Sequence, residues 1–203
     1  MNTFTLEELF KELINRDIFI YHGAGIAKGL GTHFTDNLGF TERLQYAIDN
    51  DLELSCSTVK KGDSEVNYNY WGRIGLIVKP KSPNSITLVC QEDAGTMVDP
   101  DVPGRRKIRR MPITIQEICK SIDCRSKETP NEWCVLSYSV LGIFIEPPIY
   151  YNDKNSFNEI KIKDVFEIFS DYKIYTYDPE YNLRELLQNE YGQIVQLSDW
   201  YKT

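Results

Sequence analysis

DIFIYHGAGIAKGLGTHFTDN, residues 17–37, holds both histidines of the chain and four of its twelve glycines. An apolar run followed by GAGIAKGLG reads as a strand feeding a glycine-rich dinucleotide loop. The other reading makes His22 and His33 parts of a ligand pocket and leaves the glycines to provide turns and clearance. The first reading has a strict test. A G-x-G-x-x-G loop needs its third glycine three positions after the second, a helix that starts there, and a βαβ unit around it. Here Gly25 is followed by Gly29, one position too late, and Gly29, Gly31 and Thr32 weaken any helix. The next sixty residues read as strand and turn, with no second βαβ unit. The second reading therefore stands.

The bulk composition narrows the field. At 203 residues, 41% hydrophobic and 26% charged, the chain fits one soluble globular domain with a real core. Thirteen tyrosines and nine phenylalanines suit a β-rich core better than base-stacking platforms. A net charge of −7 disfavours non-specific nucleic-acid binding, which depends on neutralising phosphates. Against that balance, GRRKIRR (104–110) puts five basic residues in seven, and both a solvated loop and a substrate-contacting role remain open for it. The five cysteines are odd in number and lack C-x-x-C spacing, so neither a disulfide framework nor a bound metal is expected. MNTFTLEELFKEL is an amphipathic helix rather than a signal peptide, and no apolar run is long enough to span a bilayer. A cytoplasmic location without membrane contact is the expectation.

Working outward, Thr5-Leu-Glu-Glu8 is a capping box that opens a helix through Leu6, Leu9, Phe10, Leu13 and Ile14. Ile18–Tyr21 reads as a short buried strand, 41–49 as a helix, and LELSCSTV (52–59) as a strand. RIGLIVKP (73–80) and SITLVCQ (85–91), flanking a PNS turn, read as a hairpin. Residues 95–110 read as an extended loop. Thr114-Ile-Gln-Glu117 is a second capping box, opening a helix through Ile115, Ile118, Cys119 and Ile122. EWCVLSYSVLGIFIEP carries one or two strands, and the tail from about 157 carries two short helices, the second capped by Asn182 and Glu185. The fold class expected is α+β in one domain, 1–203, with a core over about 17–150 and a helical extension over about 151–203.

His22 ends an apolar strand beside Gly23, whose missing side chain lets a ligand approach the backbone. An imidazole with neighbouring backbone N–H and C=O groups can pair with a ribose hydroxyl and a carboxamide, the features of the nicotinamide half of NAD. His33, Phe34 and Thr35 then supply a ring to stack on nicotinamide and hydroxyl contacts. At IYHG, GTHFTDNLGFTERLQYA and TPNEWCVLSYSVLGIFI the chain resembles the ADP-ribosyltransferase superfamily, in its histidine–aromatic–glutamate branch. Members have a strand ending in H-G, a later G-x-Y-F or G-x-H-F-T motif before a helix, and a glutamate opening a late strand.

The resemblance implies a split antiparallel sheet with flanking helices, NAD as co-substrate and no metal. It implies Glu132 as the catalytic carboxylate, and NAD contacts from His22, Gly23, His33, Phe34 and Thr35. The spacing between the two histidines is short for the family. A variant alignment, closer to DNA-modifying and abortive-infection toxins, takes HFT itself as the first motif and gives Arg73 a phosphate contact. Ser57, on the strand that follows, joins the NAD-binding set, while Asn131, Arg105, Arg106 and Arg109 form the acceptor-binding set. The function implied is transfer of ADP-ribose from NAD to a macromolecular acceptor, nucleic acid or protein, in a bacterial or phage toxin or defence setting. An antitoxin or inhibitor protein is the implied partner. The alternatives are a non-catalytic interaction protein of the same fold and an NAD glycohydrolase. No serine sits on a nucleophile elbow and no G-K-[ST] loop occurs, so neither a Ser–His–acid hydrolase nor a Walker ATPase is indicated.

Overall fold

The N-terminal capping box forms as its residue types require. Glu8 N donates to Thr5 Oγ1 at 3.1 Å and Thr5 N donates to Glu8 Oε2 at 2.7 Å, satisfying two of the helix's orphan donors. The helix α1 (Leu6–Asn15) buries Leu9, Phe10 and Leu13 and ends at Arg16. Asp17 then adopts a positive φ of 53°, a conformation a short polar side chain tolerates, and the chain turns directly into a strand. The computed structural model describes residues 1–23, 49, 53–60, 74–92, 112–124, 131–145, 149–153, 156–160 and 171–175.

Nine strands and a second helix follow among the described residues. They are β1 (Ile18–Gly23), β2 (Leu54–Lys60), β3 (Ile74–Pro80), β4 (Ile86–Cys90), α2 (Ile115–Asp123), β5 (Glu132–Val135), β6 (Tyr138–Ile145), β7 (Ile149–Asp153), β8 (Ser156–Ile160) and β9 (Lys173–Tyr175). The main sheet has the order β4-β5-β2-β1-β3-β6-β9, and β7-β8 form a separate antiparallel pair. All neighbours in the main sheet are antiparallel except β6 and β9. The architecture is a mixed α/β fold: an antiparallel sheet with helices packed on it. At that level it matches the class expected from the sequence.

The strand β1 lies at the centre, and Ile18, Phe19, Ile20 and Tyr21 are all buried, so both faces of the sheet are covered there. Continuous burial explains why this strand reads as an apolar run without alternation. Helix α1 packs against β1 and α2, and α2 packs against β4. The Arg16 guanidinium joins the two helices by meeting Glu12 of α1 at 3.1 Å and Asp123 of α2.

The expected hairpin between 73–80 and 85–91 is not formed. Both segments are strands, but β3 pairs with β1 and β6 whereas β4 pairs with β5. The PNS turn is a short 3-10 helix, Pro83–Ser85, within a crossing connection. Local turn chemistry was right, but the partners were decided by longer-range burial. In the tail, β7, β8 and β9 occupy 149–153, 156–160 and 173–175, and the remaining stretches 161–170 and 176–203, where the two expected short helices would fall, lie outside the described residues. The aromatic and β-branched residues Ile149, Tyr150, Tyr151, Phe157 and Ile160 suit strands better than helix. The expected loop 95–110 also lies outside the described residues. So does the helix expected over 41–49, apart from Asp49, which is helical.

The connections bend the sheet. Only Leu136 and Ser137 join β5 to β6, yet β2, β1 and β3 lie between those strands in the order. On a flat sheet four strand spacings amount to about 19 Å. Three virtual bonds, Val135 to Tyr138, reach about 11 Å at most. The sheet must therefore curl so that its two halves approach at this corner. The β3–β4 connection runs beside the β5–β6 link, with Lys81 N donating to Ser137 O at 3.1 Å and Leu136 N to Ser85 O at 2.8 Å. No helix among the described residues is long and apolar enough to cross a membrane.

Candidate functional site

Three central strands carry the polar residues of interest. On β1 the pattern IFIYHG runs out of apolar residues at His22, which is 8% exposed. Its Nδ1 lies 2.7 Å from the carbonyl oxygen of Ser55 on β2. A carbonyl only accepts, so Nδ1 carries a proton and donates it to that oxygen. The next residue, Gly23, pairs with Gly75 of β3. A Cβ on Gly75 would fall 2.2 Å from the His22 carbonyl oxygen and 2.5 Å from the Tyr21 ring. The absent side chain lets β3 close on the end of β1 and leaves room for Tyr21. That ring sits edge-on to Phe144 at 5.3 Å and to Phe19 at 6.2 Å.

On β2, alternation in LSCSTV sets Ser55 and Ser57 on one side and Cys56 on the other. Ser55 Oγ donates to Glu132 Oε1 at 2.7 Å. Glu132 opens β5 and is 4% exposed, a degree of burial that a carboxylate reaches only when hydrogen-bonded. Ser55 is thus the common partner of the two residues on which the sequence reading rests: its carbonyl holds His22 and its hydroxyl holds Glu132. The strands of His22 and Glu132 are two spacings apart, about 10 Å, with β2 between them.

Behind Glu132 lies a buried polar network. Asn131 is fully buried, and its Oδ1 accepts from Ser57 Oγ at 3.0 Å, Thr58 N at 2.9 Å and Thr58 Oγ1 at 3.1 Å. Its Nδ2 donates to Thr58 Oγ1 at 2.8 Å and approaches Ser121 O and Oγ at 3.2 Å each. Trp133 is also fully buried, and its Nε1 donates to Ser121 Oγ at 2.9 Å. Such a network holds a strand in one register because every slip would strand polar groups in the core.

The residues expected from the sequence are therefore distributed as follows. His22 and Glu132 meet through Ser55, and Gly23 lies at the close approach of β1 and β3. Ser57, expected to bind NAD, is 4% exposed with its hydroxyl turned to Asn131. Asn131, expected to contact the acceptor, has no exposed surface and its amide is engaged with β2 and α2. His33, Phe34, Thr35, Arg73, Arg105, Arg106 and Arg109 lie outside the described residues. Of the strand hydroxyls Ser55, Ser57 and Thr58, sequence reasoning placed only Ser57 in the site, although the period-2 relation of Ser55 to Ser57 was visible. Ser121 carried no signal: a serine among the apolar positions of a helix acquires meaning only once its neighbours are known.

Cys56 and Cys134 adjoin the carboxylate. Burial pushes the Cys56 thiol well above its ordinary value of 9.0, and electrostatic repulsion from Cys134 and Glu132 adds to the effect. The Cys56 sulfur is therefore a neutral packing group at neutral pH rather than a nucleophile. All five cysteines are free thiols. Among the described residues no group of three or more His, Cys, Asp or Glu side chains is arranged to hold a metal ion.

A carboxylate held by a hydroxyl can orient a sugar hydroxyl and stabilise positive charge developing beside it. It can also accept a proton from an incoming nucleophile. No family model, curated protein or solved structure matches the chain.

Proposed function

We propose that the chain is an NAD-dependent ADP-ribosyltransferase with an ADP-ribosyltransferase-like sheet, in which Glu132 is the catalytic carboxylate and His22 positions NAD. The observation that carries this reading is the meeting of the H-G strand end and the late-strand glutamate at a single residue, Ser55. These were two motifs far apart in the sequence, selected for the same chemistry. Their joining through β2, the strand between them, was not implied by either motif alone.

In this reading the bond between nicotinamide and ribose breaks with positive charge developing on the sugar. Glu132 accepts a hydrogen bond from the ribose 2′-hydroxyl and opposes the developing charge. Its burial makes that interaction stronger than it would be in water. The Ser55 hydroxyl, bound to Oε1, restricts the carboxylate to one orientation, so less reorganisation is needed during the reaction. Glu132 also takes the proton of the acceptor group as it attacks the sugar carbon. The acceptor is a macromolecule, and the same residues would serve NAD hydrolysis if water took its place.

The test is nicotinamide release from NAD, followed chromatographically, in the wild-type chain and in Glu132→Gln. The substitution keeps size and hydrogen-bonding capacity but removes the charge. Cleavage should fall by at least about a hundredfold, the scale of losing one electrostatic contributor to a transition state. Circular dichroism should be unchanged. Equal rates in the two proteins would remove Glu132 from the mechanism. Product analysis with and without candidate acceptors separates transfer from hydrolysis.

A further inference from the structure

Glu132 is bracketed in sequence by two fully buried residues, Asn131 and Trp133, whose side chains reach the same serine. Trp133 Nε1 donates to Ser121 Oγ at 2.9 Å, and Asn131 Nδ2 lies 3.2 Å from that oxygen. Ser121 Oγ in turn donates to the carbonyl of Cys90 at 2.7 Å. Cys90 is the residue of β4 paired across the sheet with Glu132. The residue before Glu132, the residue after it and its cross-strand partner are therefore all tied to one hydroxyl on α2.

A serine hydroxyl offers one proton and two lone pairs, and these three contacts use all of them. Ser121 is fully buried, so water does not compete for any of the three. The Asn131 and Trp133 side chains reach α2 at Ser121, whereas the Glu132 carboxylate meets Ser55. The carboxylate is held by Ser55, while the backbone that carries it is held by α2.

We propose that Ser121 is a positioning residue for Glu132: it fixes the height and direction of the carboxylate by clamping the two side chains that flank Glu132 in sequence and the facing carbonyl of β4. Its catalytic consequence rests on the reading of Glu132 as the reactive carboxylate, while its effect on the Glu132 side chain does not. Ser121 touches no substrate in this arrangement and acts through Asn131, Trp133 and Cys90.

The experiment uses the full chain with Ser121→Ala, and Trp133→Phe as a second variant that keeps the ring and removes one of the three contacts. Two quantities are measured: kcat and KM for NAD cleavage, and the side-chain carboxyl ¹³C resonance of Glu132, assigned by its loss in Glu132→Gln. Ser121→Ala should lower kcat roughly 10- to 100-fold, as expected for a misplaced catalytic group. KM should stay within about twofold, since ground-state binding is not the target. The carboxyl resonance should move, and Trp133→Phe should act in the same direction by less. A folded Ser121→Ala protein with wild-type kcat and an unmoved resonance overturns the proposal. If Ser121→Ala does not fold, Trp133→Phe decides in the same way. If the wild-type chain leaves NAD intact, the proposed activity fails, and the resonance alone then decides for or against Ser121.

Discussion

At the scale of single residues, chemistry depends on what a side chain faces rather than on its type. Asn131 and Glu132 are neighbours, both polar and both buried, yet one amide is enclosed between β2 and α2 while the carboxylate meets the Ser55 hydroxyl. From the sequence alone they look like two parts of one polar loop-to-strand junction, and only their hydrogen-bond partners tell them apart. Cys56 makes the same point and yields a pH prediction. Its folded pKa is raised above the ordinary 9.0 by burial and by electrostatic repulsion from Cys134 and Glu132. A raised folded value means the unfolded chain loses its thiol proton first. The stabilisation is therefore complete below the unfolded pKa and is lost as pH rises through the range above 9. Urea denaturation between pH 7 and 10.5 should show Cys56→Ala with a shallower alkaline loss of stability than wild type. Parallel curves for the two proteins would contradict the assignment.

At the scale of elements, the two capping boxes, at Thr5 and Thr114, were legible because a cap needs only residues three positions apart. Strand positions were legible for a similar reason: β-branched and aromatic runs mark strands locally. Pairing was not. β3 and β4 are joined by a turn that looks like a hairpin and yet belong to opposite halves of the sheet. What fixes β3 beside β1 is visible at Gly75. Any side chain there would meet the backbone oxygen of His22 at 2.2 Å, a contact that no rotamer change relieves. Gly75→Ala should therefore destabilise the chain by about 1–3 kcal/mol or more, the cost of overpacking. Thermal or urea unfolding measures it. The strain falls on the end of β1, so the His22 ring resonances should move as well. Unchanged stability and unchanged His22 signals would show that β1 and β3 do not approach this closely.

At the scale of the whole molecule, the sheet is organised around β1, which has β2 and β3 on either side and buried side chains on both faces. Local opening should be hardest where both faces are covered and both edges are paired. Native-state hydrogen exchange should find the slowest amides at Phe19–Tyr21 and Leu76–Val78, with β4 and β9 exchanging sooner at the sheet edges. Slower exchange in β4 than in β1 would require a different centre for the fold. Composition, capping boxes and apolar runs by themselves determined the class of fold, the helices α1 and α2, and most strand positions, because each depends on residues close in sequence. The candidate carboxylate came from a short motif and lies in the sequence far from the histidine it accompanies. Which strands are neighbours, that Ser55 joins His22 to Glu132, and that Ser121 holds both sides of Glu132 were decided only by the tertiary structure. A hydrogen bond across the sheet depends on strand order and register, and these follow from burial summed over the whole sheet rather than from any local pattern.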